Sequence, residues 1–342
     1  MNEKRTAIIV INYKNYSDTI ECLESLLKFP LNYVQIFLLD NFSGDDSVVH
    51  LQKWIDSNQE LESITCSAND FVSYAKRDNL GEFNLVFIKT DDNKGFANGN
   101  NFIIKNILDK FGYFLLFNND AICVNNVVDI LREKMDENRQ FAAVTCRINN
   151  YSEPQSLQQM GGELLWFGHF KRYNESFLRK CISQGKSVVP VSFATGCILM
   201  IRNEILKTYG LLSTTIFFGE EDGELALRFK KNNLKMASVI DAIALHKGGS
   251  SQKESSSNYI DAGYAHSIIG RSVMLKSYYG KNHWRIWFFL FKKIMAANIF
   301  IRRRIGLKRT IKIFSVVNRY AVTKSSITKK DFFDILFEFN KE

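Results

Sequence analysis

The sequence predicts an α/β fold with a mostly parallel central sheet flanked by helices, and three observations lead there. Apolar runs of strand length recur, the early runs are each followed by a segment with helical spacing of apolar residues, and the runs end in polar clusters. Strands that are apolar on both sides are buried on both faces, as in parallel sheets covered by helices, and ligands of such sheets bind beyond the carboxyl ends of the strands.

The elements follow in order. Residues 7–12 (AIIVIN) form a β-branched run, after which Ser17-Asp18 can cap a helix carrying Ile20, Leu23, Leu26 and Leu27. Residues 34–39 (VQIFLL) end at Asp40-Asn41-Phe42-Ser43-Gly44-Asp45, a polar turn leading to a second helix through Leu51 and Trp54. The stretch 60–83 reads as a long loop. Residues 84–89 make a third strand, followed by Asn93-Lys94-Gly95 and a helix over about 100–110, and 113–117 make a fourth that stops at Asn118-Asn119-Asp120. Residues 147–190 are polar and aromatic and read as loop or hairpin. Residues 192–201 then predict a strand, 220–231 a helix opened by acids, and 237–245 a last strand that ends at His246-Lys247-Gly248-Gly249-Ser250. No internal repeat of 20–50 residues is present.

A chain of 342 residues can bury a large core, and three prolines without Gly/Ser tracts leave no long flexible linker. The net charge of +9 is uneven: residues 281–342 hold fifteen Lys/Arg against four Asp/Glu, which leaves residues 1–280 mildly acidic. A basic tail on such a body points to an anionic surface as partner. The six cysteines are scattered with no CxxC pair and read as reduced core residues. The start MNEKRTAIIVINY lacks the cleavage site of a secretory signal, so a cytoplasmic chain is expected.

Several strand ends carry groups suited to chemistry. Asp40 can accept the imino N–H of a pyrimidine base and Tyr13 offers a ring for it to stack on, although Asp40 could equally cap the next helix. Asp120 is an oxygen ligand suited to Mg²⁺ or Mn²⁺, unless Asn-Asn-Asp is simply a turn. Glu220-Glu221-Asp222 open a helix, where acids stabilise the dipole and where one could deprotonate an acceptor hydroxyl. His246 enters a Gly-Gly-Ser loop and could complete a metal site, with Lys247 turned to phosphate oxygens, or be structural. Gly185-Lys186-Ser187 is no phosphate loop because Lys180 stands where that motif needs glycine. Neither GxGxxG after the first strand nor GxSxG occurs, which argues against a dinucleotide dehydrogenase and an α/β hydrolase.

Together these pieces resemble the family 2 glycosyltransferases of the GT-A fold, particularly their rhamnosyltransferase-like branch, over residues 6–280. The resemblance rests on VINYKNYSDTIECLESLL, LLDNFSGDDS, NKGFANGNN, YFLLFNND and TGCILMIRNEI, followed by FFGEEDGELALRFKKNNLKM and ALHKGGSS. It implies a catalytic domain over 1–280 and a basic, aromatic helical tail over 281–342. It implies a donor site of Asn12, Tyr13, Asp40, Asn41, Asn93, Lys94, Gly95 and Asn119, a Mg²⁺ or Mn²⁺ ion held by Asp120 and His246, and Asp222 as general base with Glu221 beside it. The chain departs from the family pattern at Asn118, where an acid is usual, and at Glu224, where aspartate is usual. The implied reaction is an inverting transfer of a rhamnose-like or hexose unit from a dTDP- or UDP-linked donor to a glycan or lipid-linked acceptor. The alternatives are an inactive membrane-associated scaffold that binds nucleotide sugars, and a sugar nucleotidyltransferase, which should carry a Gly-rich loop that VINYKNYSD lacks.

Residues 284–304 combine Trp and Phe with Arg285, Lys292, Lys293 and Arg302-Arg303-Arg304, in apolar stretches too short to cross a bilayer. Such a helix can lie on the anionic inner face of the plasma membrane, or pack its aromatic face on the body or on a second subunit of a homo-oligomer. No nucleic-acid-binding module is evident.

Overall fold

The structure is a computed structural model and describes residues 5–30, 32–77, 83–165, 168–248 and 257–340. The chain divides into two compact units: Met1–Leu165, Phe170–Leu212 and Arg228–Ser251 form the first, and Trp166–His169, Ser213–Leu227 and Gln252–Glu342 the second.

The first unit opens with β1 (Thr6–Asn12), α1 (Tyr16–Leu27), β2 (Val34–Asp40), α2 (Ser47–Ser57), β3 (Ser63–Ser67), α3 (Ala68–Arg77), β4 (Leu85–Lys89), α4 (Gly95–Ile107) and β5 (Tyr113–Asn118). Strands β5, β1, β2, β4 and β3 lie side by side in that order, all parallel. Both faces are covered, which explains the unbroken apolar runs. Leu23 and Leu26 of α1 and Leu51 and Ile55 of α2 join one core with Ile8, Val10, Ile36 and Leu38, while Phe37, Phe71, Phe102, Phe111 and Phe114 contact ring to ring in a chain on the other side.

The stretch 60–83 corrects the expectation of a loop. It holds the edge strand β3 and helix α3, with residues 78–82 outside the described region. Five residues of Ser-Ile-Thr-Cys-Ser give too short and polar a run to stand out, yet they pair fully with β4.

Beyond β5 the sheet turns mixed. β6 (Ala121–Cys123), α5 (Val127–Glu137), β7 (Phe141–Asn150), β8 (Leu157–Gln159), β9 (Gly162–Leu164), β10 (Phe170–Arg172), α6 (Glu175–Ser183), β11 (Val188–Val191), β12 (Ile198–Arg202), α7 (Asn203–Tyr209), α8 (Glu221–Lys231) and β13 (Lys235–His246) follow. β12 runs antiparallel between β5 and β7, β13 is parallel to β7, and β6 and β8 pair antiparallel with β13 and β7. The strand expected over 192–201 begins only at Ile198, because Phe193 exchanges backbone hydrogen bonds with Gly162 instead. All six cysteines are free and buried.

In the second unit, α9 (Ser257–Tyr278), α10 (Lys281–Ala297), a π-helical turn (Asn298–Arg302), α11 (Leu307–Thr323) and α12 (Lys329–Asn340) enclose their own core. Ile268, Ile269, Val273, Trp284, Phe288, Ile313, Val317 and Ile335 are among its buried members. No helix among the described residues is long and apolar enough to cross a membrane.

Candidate active site

Parallel pairing puts Asn12 of β1 beside Asp40 of β2, and Asn118 of β5 beside Ile11. The carboxyl ends of three strands thus meet at one sheet edge. There the Asn12 side-chain amide donates to Asp40 Oδ1 at 2.8 Å and accepts the Thr19 hydroxyl at 2.8 Å, and the Asn119 amide donates to Thr19 Oγ1 at 2.9 Å. Ser43 closes the chain, its hydroxyl donating to Asp40 Oδ1 at 2.5 Å and its amide to Oδ2 at 3.1 Å. Asp40 is only 2% exposed, so these bonds offset the cost of burying its charge. It caps no helix: α2 starts seven residues later, after Asp46. Its carboxylate shapes the turn that carries Asn41 and Ser43.

Asn41 is buried and acts as a clamp. Its amide nitrogen donates to Asn93 Oδ1 and the Gly95 carbonyl, and its oxygen accepts the Lys94 backbone N–H at 2.8 Å. Asn93 Oδ1 also accepts the Gly95 N–H. Gly95 sits at φ +73°, which a side chain resists, and begins α4; the N–H groups of Lys94 and Gly95 are taken by Asn41 and Asn93, and the Lys94 ammonium lies 5.6 Å from the Phe102 ring. Tyr13 is half-buried one residue past β1, with the Lys14 ammonium over its ring.

Asp120 and His246 are brought together by β6. Ala121 pairs with His246 across the β6–β13 ladder, and the Lys247 N–H donates to the Asp120 carbonyl. His246 Nε2 lies 3.1 Å from Asp120 Oδ1 and 3.5 Å from the Asn118 amide nitrogen. Both side chains are largely buried. The other ring nitrogen, Nδ1, is 2.6 Å from Gln158 Oε1. Gln158 cannot be turned around, since its amide nitrogen donates to Asn150 Oδ1 and to the His246 carbonyl. Nδ1 therefore carries a proton, and in the neutral ring Nε2 turns its lone pair toward Asp120.

Two electron-rich atoms 3.1 Å apart need a proton or a cation between them. Adjacent ligands of an octahedral ion bound at about 2.1 Å are themselves about 3 Å apart, so this spacing fits a shared divalent cation. The pair would supply two ligands: among the described residues no group of three or more His, Cys, Asp or Glu could hold a metal. With Asn118 in place of an acid, the remaining positions fall to the amide or to oxygens from elsewhere.

Lys247 corrects an expectation. It does not face an open phosphate site, because its ammonium is bound by Asp18 Oδ1 at 2.6 Å and Glu21 Oε2 at 2.5 Å, with the Tyr151 ring 4.7 Å away. Desolvation pulls its pKa down, but these two hydrogen-bonded carboxylates win and hold it well above the lysine range. The ion pairs tie the end of β13 to α1, and two carboxylates around one ammonium leave a net negative cluster that makes no anion site. Gly249 and Ser250 lie outside the described residues. A separate cavity of about 380 Å³ lies at the opposite end of β5 and β12, beside Tyr113 and Arg202. There the Arg202 guanidinium is used by the carbonyls of Met135, Asn138 and Phe141 and the Tyr113 hydroxyl.

Glu221 and Asp222 belong to the second unit, at the start of α8. Glu220, just before them, is held at φ +69°, and its carboxylate pairs with the Arg271 guanidinium on α9. Glu221 accepts the Gly219 N–H at 3.0 Å. Burial pushes the Glu221 carboxyl up to about 8, and Asp222 and Glu220 add to the rise against the amides that bind it. Asp222 accepts the Gly223 N–H at 2.8 Å, and Glu224 accepts the Tyr278 hydroxyl at 2.6 Å. Glu224 and Glu220 thus anchor this acidic turn to α9. The anchors Arg271 and Tyr278, like Gln158, carry no signal in the sequence, because each acts through a partner far along the chain.

The Glycosyl transferase family 2 model matches residues 7–210, more than half of the chain, ending before Glu221, Asp222 and His246. No curated protein sequence matches. Among solved structures, GalNAc-T7 with UDP, GalNAc and Mn²⁺ superposes with a TM-score of 0.59 at 14% identity, over 96% of this chain and 56% of that one. The chain thus spans little more than half the length of that enzyme. A mannosyltransferase from Pyrobaculum calidifontis in complex with GDP-Man and Mn²⁺ gives 0.53 at 14% identity, over 99% and 88%. TarS from S. aureus gives 0.52 at 13% identity, over 98% and 53%. At such identities the likeness is one of fold.

Proposed function

Since the chain belongs to glycosyl transferase family 2, we propose that it moves a rhamnose-like or hexose unit from a dTDP- or UDP-linked donor to a hydroxyl of a growing polysaccharide or lipid-linked oligosaccharide. The observation that carries this reading is the pairing of Asp120 with a tautomer-fixed His246 beside an ordered row of strand-end amides. The structures with bound nucleotide, sugar or Mn²⁺ described above add support from fold.

In this reading residues 1–280 form the catalytic domain. Tyr13 stacks on the base, while Asp40 and Asn12, buried and bonded to each other, hold the strand-end turn that carries the site. Asn41 orders the Asn93-Lys94-Gly95 loop, from which the Lys94 ammonium would reach the diphosphate, and Asn119 orders the sugar end through Thr19. Asp120 and His246 would hold Mg²⁺ or Mn²⁺. When bound, such an ion neutralises charge on the departing diphosphate. Asp222 takes the proton of the acceptor hydroxyl as its oxygen bonds to the anomeric carbon and the bond to the diphosphate breaks, inverting that centre. Glu221, protonated at neutral pH, keeps a second charge away from Asp222. The acceptor is proposed to lie at the cytoplasmic face of the plasma membrane, in cell-envelope glycan synthesis.

The test is donor turnover. Nucleoside diphosphate release is followed with dTDP-rhamnose, UDP-hexoses and UDP-galactofuranose, each with Mn²⁺, Mg²⁺ or chelator. Release with one donor that chelator abolishes is expected; nucleotide binding without turnover of any donor would point to the scaffold.

A further inference from the structure

We propose that one face of the C-terminal unit, built from α10, the π-helical turn and the start of α11, docks on an anionic lipid bilayer. The inference rests on the membrane-proximal acceptor proposed above and names the surface that meets the membrane.

The argument starts from the two sides of α10. Trp284, Trp287 and Phe288 are buried, with Trp287 stacked on Phe291, so the tryptophan side is spent on the unit's own core. The other side is as apolar and is bare. Ile286 is 64% exposed and Ile294 67%, with Phe289 and Leu290 more than half exposed between them. Their spacing of three, four and eight residues makes one stripe along the helix. Exposed apolar residues recur past the helix end: Ile299 is buried while its neighbours Phe300 and Ile301 are exposed, and so are Leu307 and Ile311 at the start of α11. A soluble monomer seldom leaves so many large apolar side chains together in water.

The charges beside the stripe identify what covers it. From Ala262 to Lys330 the sequence has no Asp or Glu. Among the described residues Arg285, Lys293, Arg302, Arg303, Arg304 and Lys308 are exposed and none has an ion-pair partner, whereas Arg309 and Arg319 further along α11 are paired with Asp261 and Glu338. Lys293 lies over the Phe289 ring at 4.1 Å, a cation held at the rim of the apolar stripe. Apolar side chains flanked by unpaired cations match the acyl–headgroup boundary of an anionic leaflet, with helices in the plane of the surface. A protein partner would need a matching carboxylate array, and a nucleic acid would leave the bare aliphatic chains in water.

The experiment is vesicle flotation of the full chain. Liposomes of pure phosphatidylcholine are compared with ones containing 30% phosphatidylglycerol, a composition chosen for the test, at low and high salt. Binding to the anionic vesicles only, weakened by salt, is expected. Replacing Arg302, Arg303 and Arg304 by serine should lower the partition coefficient about a hundredfold, from about fivefold per cation. An Ile294→Glu, Ile301→Glu double variant should abolish binding even with the cations intact. Both sites are exposed, and an unchanged melting temperature checks the fold. Donor turnover in solution should be the same for all three proteins, so a dead parent enzyme defeats the transferase reading without touching this one. Equal flotation with neutral vesicles, no flotation at all, loss of the bound state to competing RNA, or a concentration-dependent dimer that disappears in the double variant would each overturn the proposal.

Discussion

The strand-end cluster of the first unit and the outer face of the C-terminal helices are both rich in polar groups, but they use them in opposite ways. At the strand ends Asn12, Asp40, Ser43 and Thr19 bind one another, Asn41 binds the 93–95 loop, and Gln158 binds His246. On α10, the π-helical turn and the start of α11 the aliphatic chains are exposed, and Arg285, Lys293, Arg302, Arg303, Arg304 and Lys308 have no ion-pair partner among the described residues. A prepaid network holds its donors and lone pairs in fixed directions and suits chemistry, whereas a bare face keeps its interaction energy for an external partner. Order inside the site and vacancy outside it are two halves of one division of labour.

The sharpest way to break this comparison is at the proposed base. Asp222→Asn should cut turnover by about 10² to 10⁴ with donor affinity retained, whereas Asp120→Ala should lose both, as read by steady-state kinetics beside calorimetric nucleotide binding. If Asp222→Asn weakened donor binding as much as turnover, its assignment as base would fail. Next in size is Gln158→Leu. With the ring freed, Mn²⁺ affinity should fall about 10- to 100-fold, and nitrogen NMR of His246 in the metal-free protein should show loss of the Nδ1–H tautomer. An unchanged tautomer would make Gln158 a bystander.

A smaller effect is expected of Asn41→Leu. It leaves the Lys94 N–H without its acceptor, which should destabilise the chain by about 1–3 kcal/mol in urea unfolding and weaken donor binding. Loss of stability with unchanged donor affinity would separate the clamp from the site. The smallest effect concerns Glu221. Its carboxyl is raised from 4.5 to about 8, so the folded state holds a proton that the unfolded chain gives up. The stability this lends is full below about pH 4.5 and is lost as pH rises through 8. Glu221→Gln should therefore melt like the parent at pH 4 and above it at pH 9; a parallel shift at both would place the effect in packing.

Legibility followed the range of the interactions. The strands β1, β2, β4 and β5 are apolar runs that any reading finds, and the turns at Asp40, Asn93 and Asp120 are marked by their own residues. Helix α3 and edge strand β3 were hidden, since their apolar residues are few and β3 is defined by its pairing with β4. Lys247 looked free beside glycines, and only the fold shows Asp18 and Glu21 at its ammonium. For α10, a list of Trp, Phe and Lys does not say which side faces the core.

By itself the sequence determined the α/β class, the polar strand ends, the family resemblance and the basic tail, because apolar periodicity and local turn chemistry are written in neighbouring residues. Only the tertiary structure decided that β6 carries Asp120 to His246, that Gln158 sets the ring's tautomer, that Asp40 spends its carboxylate on Asn12 and Ser43, and which side of α10 remains bare. Apart from Ser43, these are contacts between residues about thirty to more than a hundred positions apart, or a choice between two apolar faces, and in both cases the deciding energy comes from packing that no short stretch of chain contains.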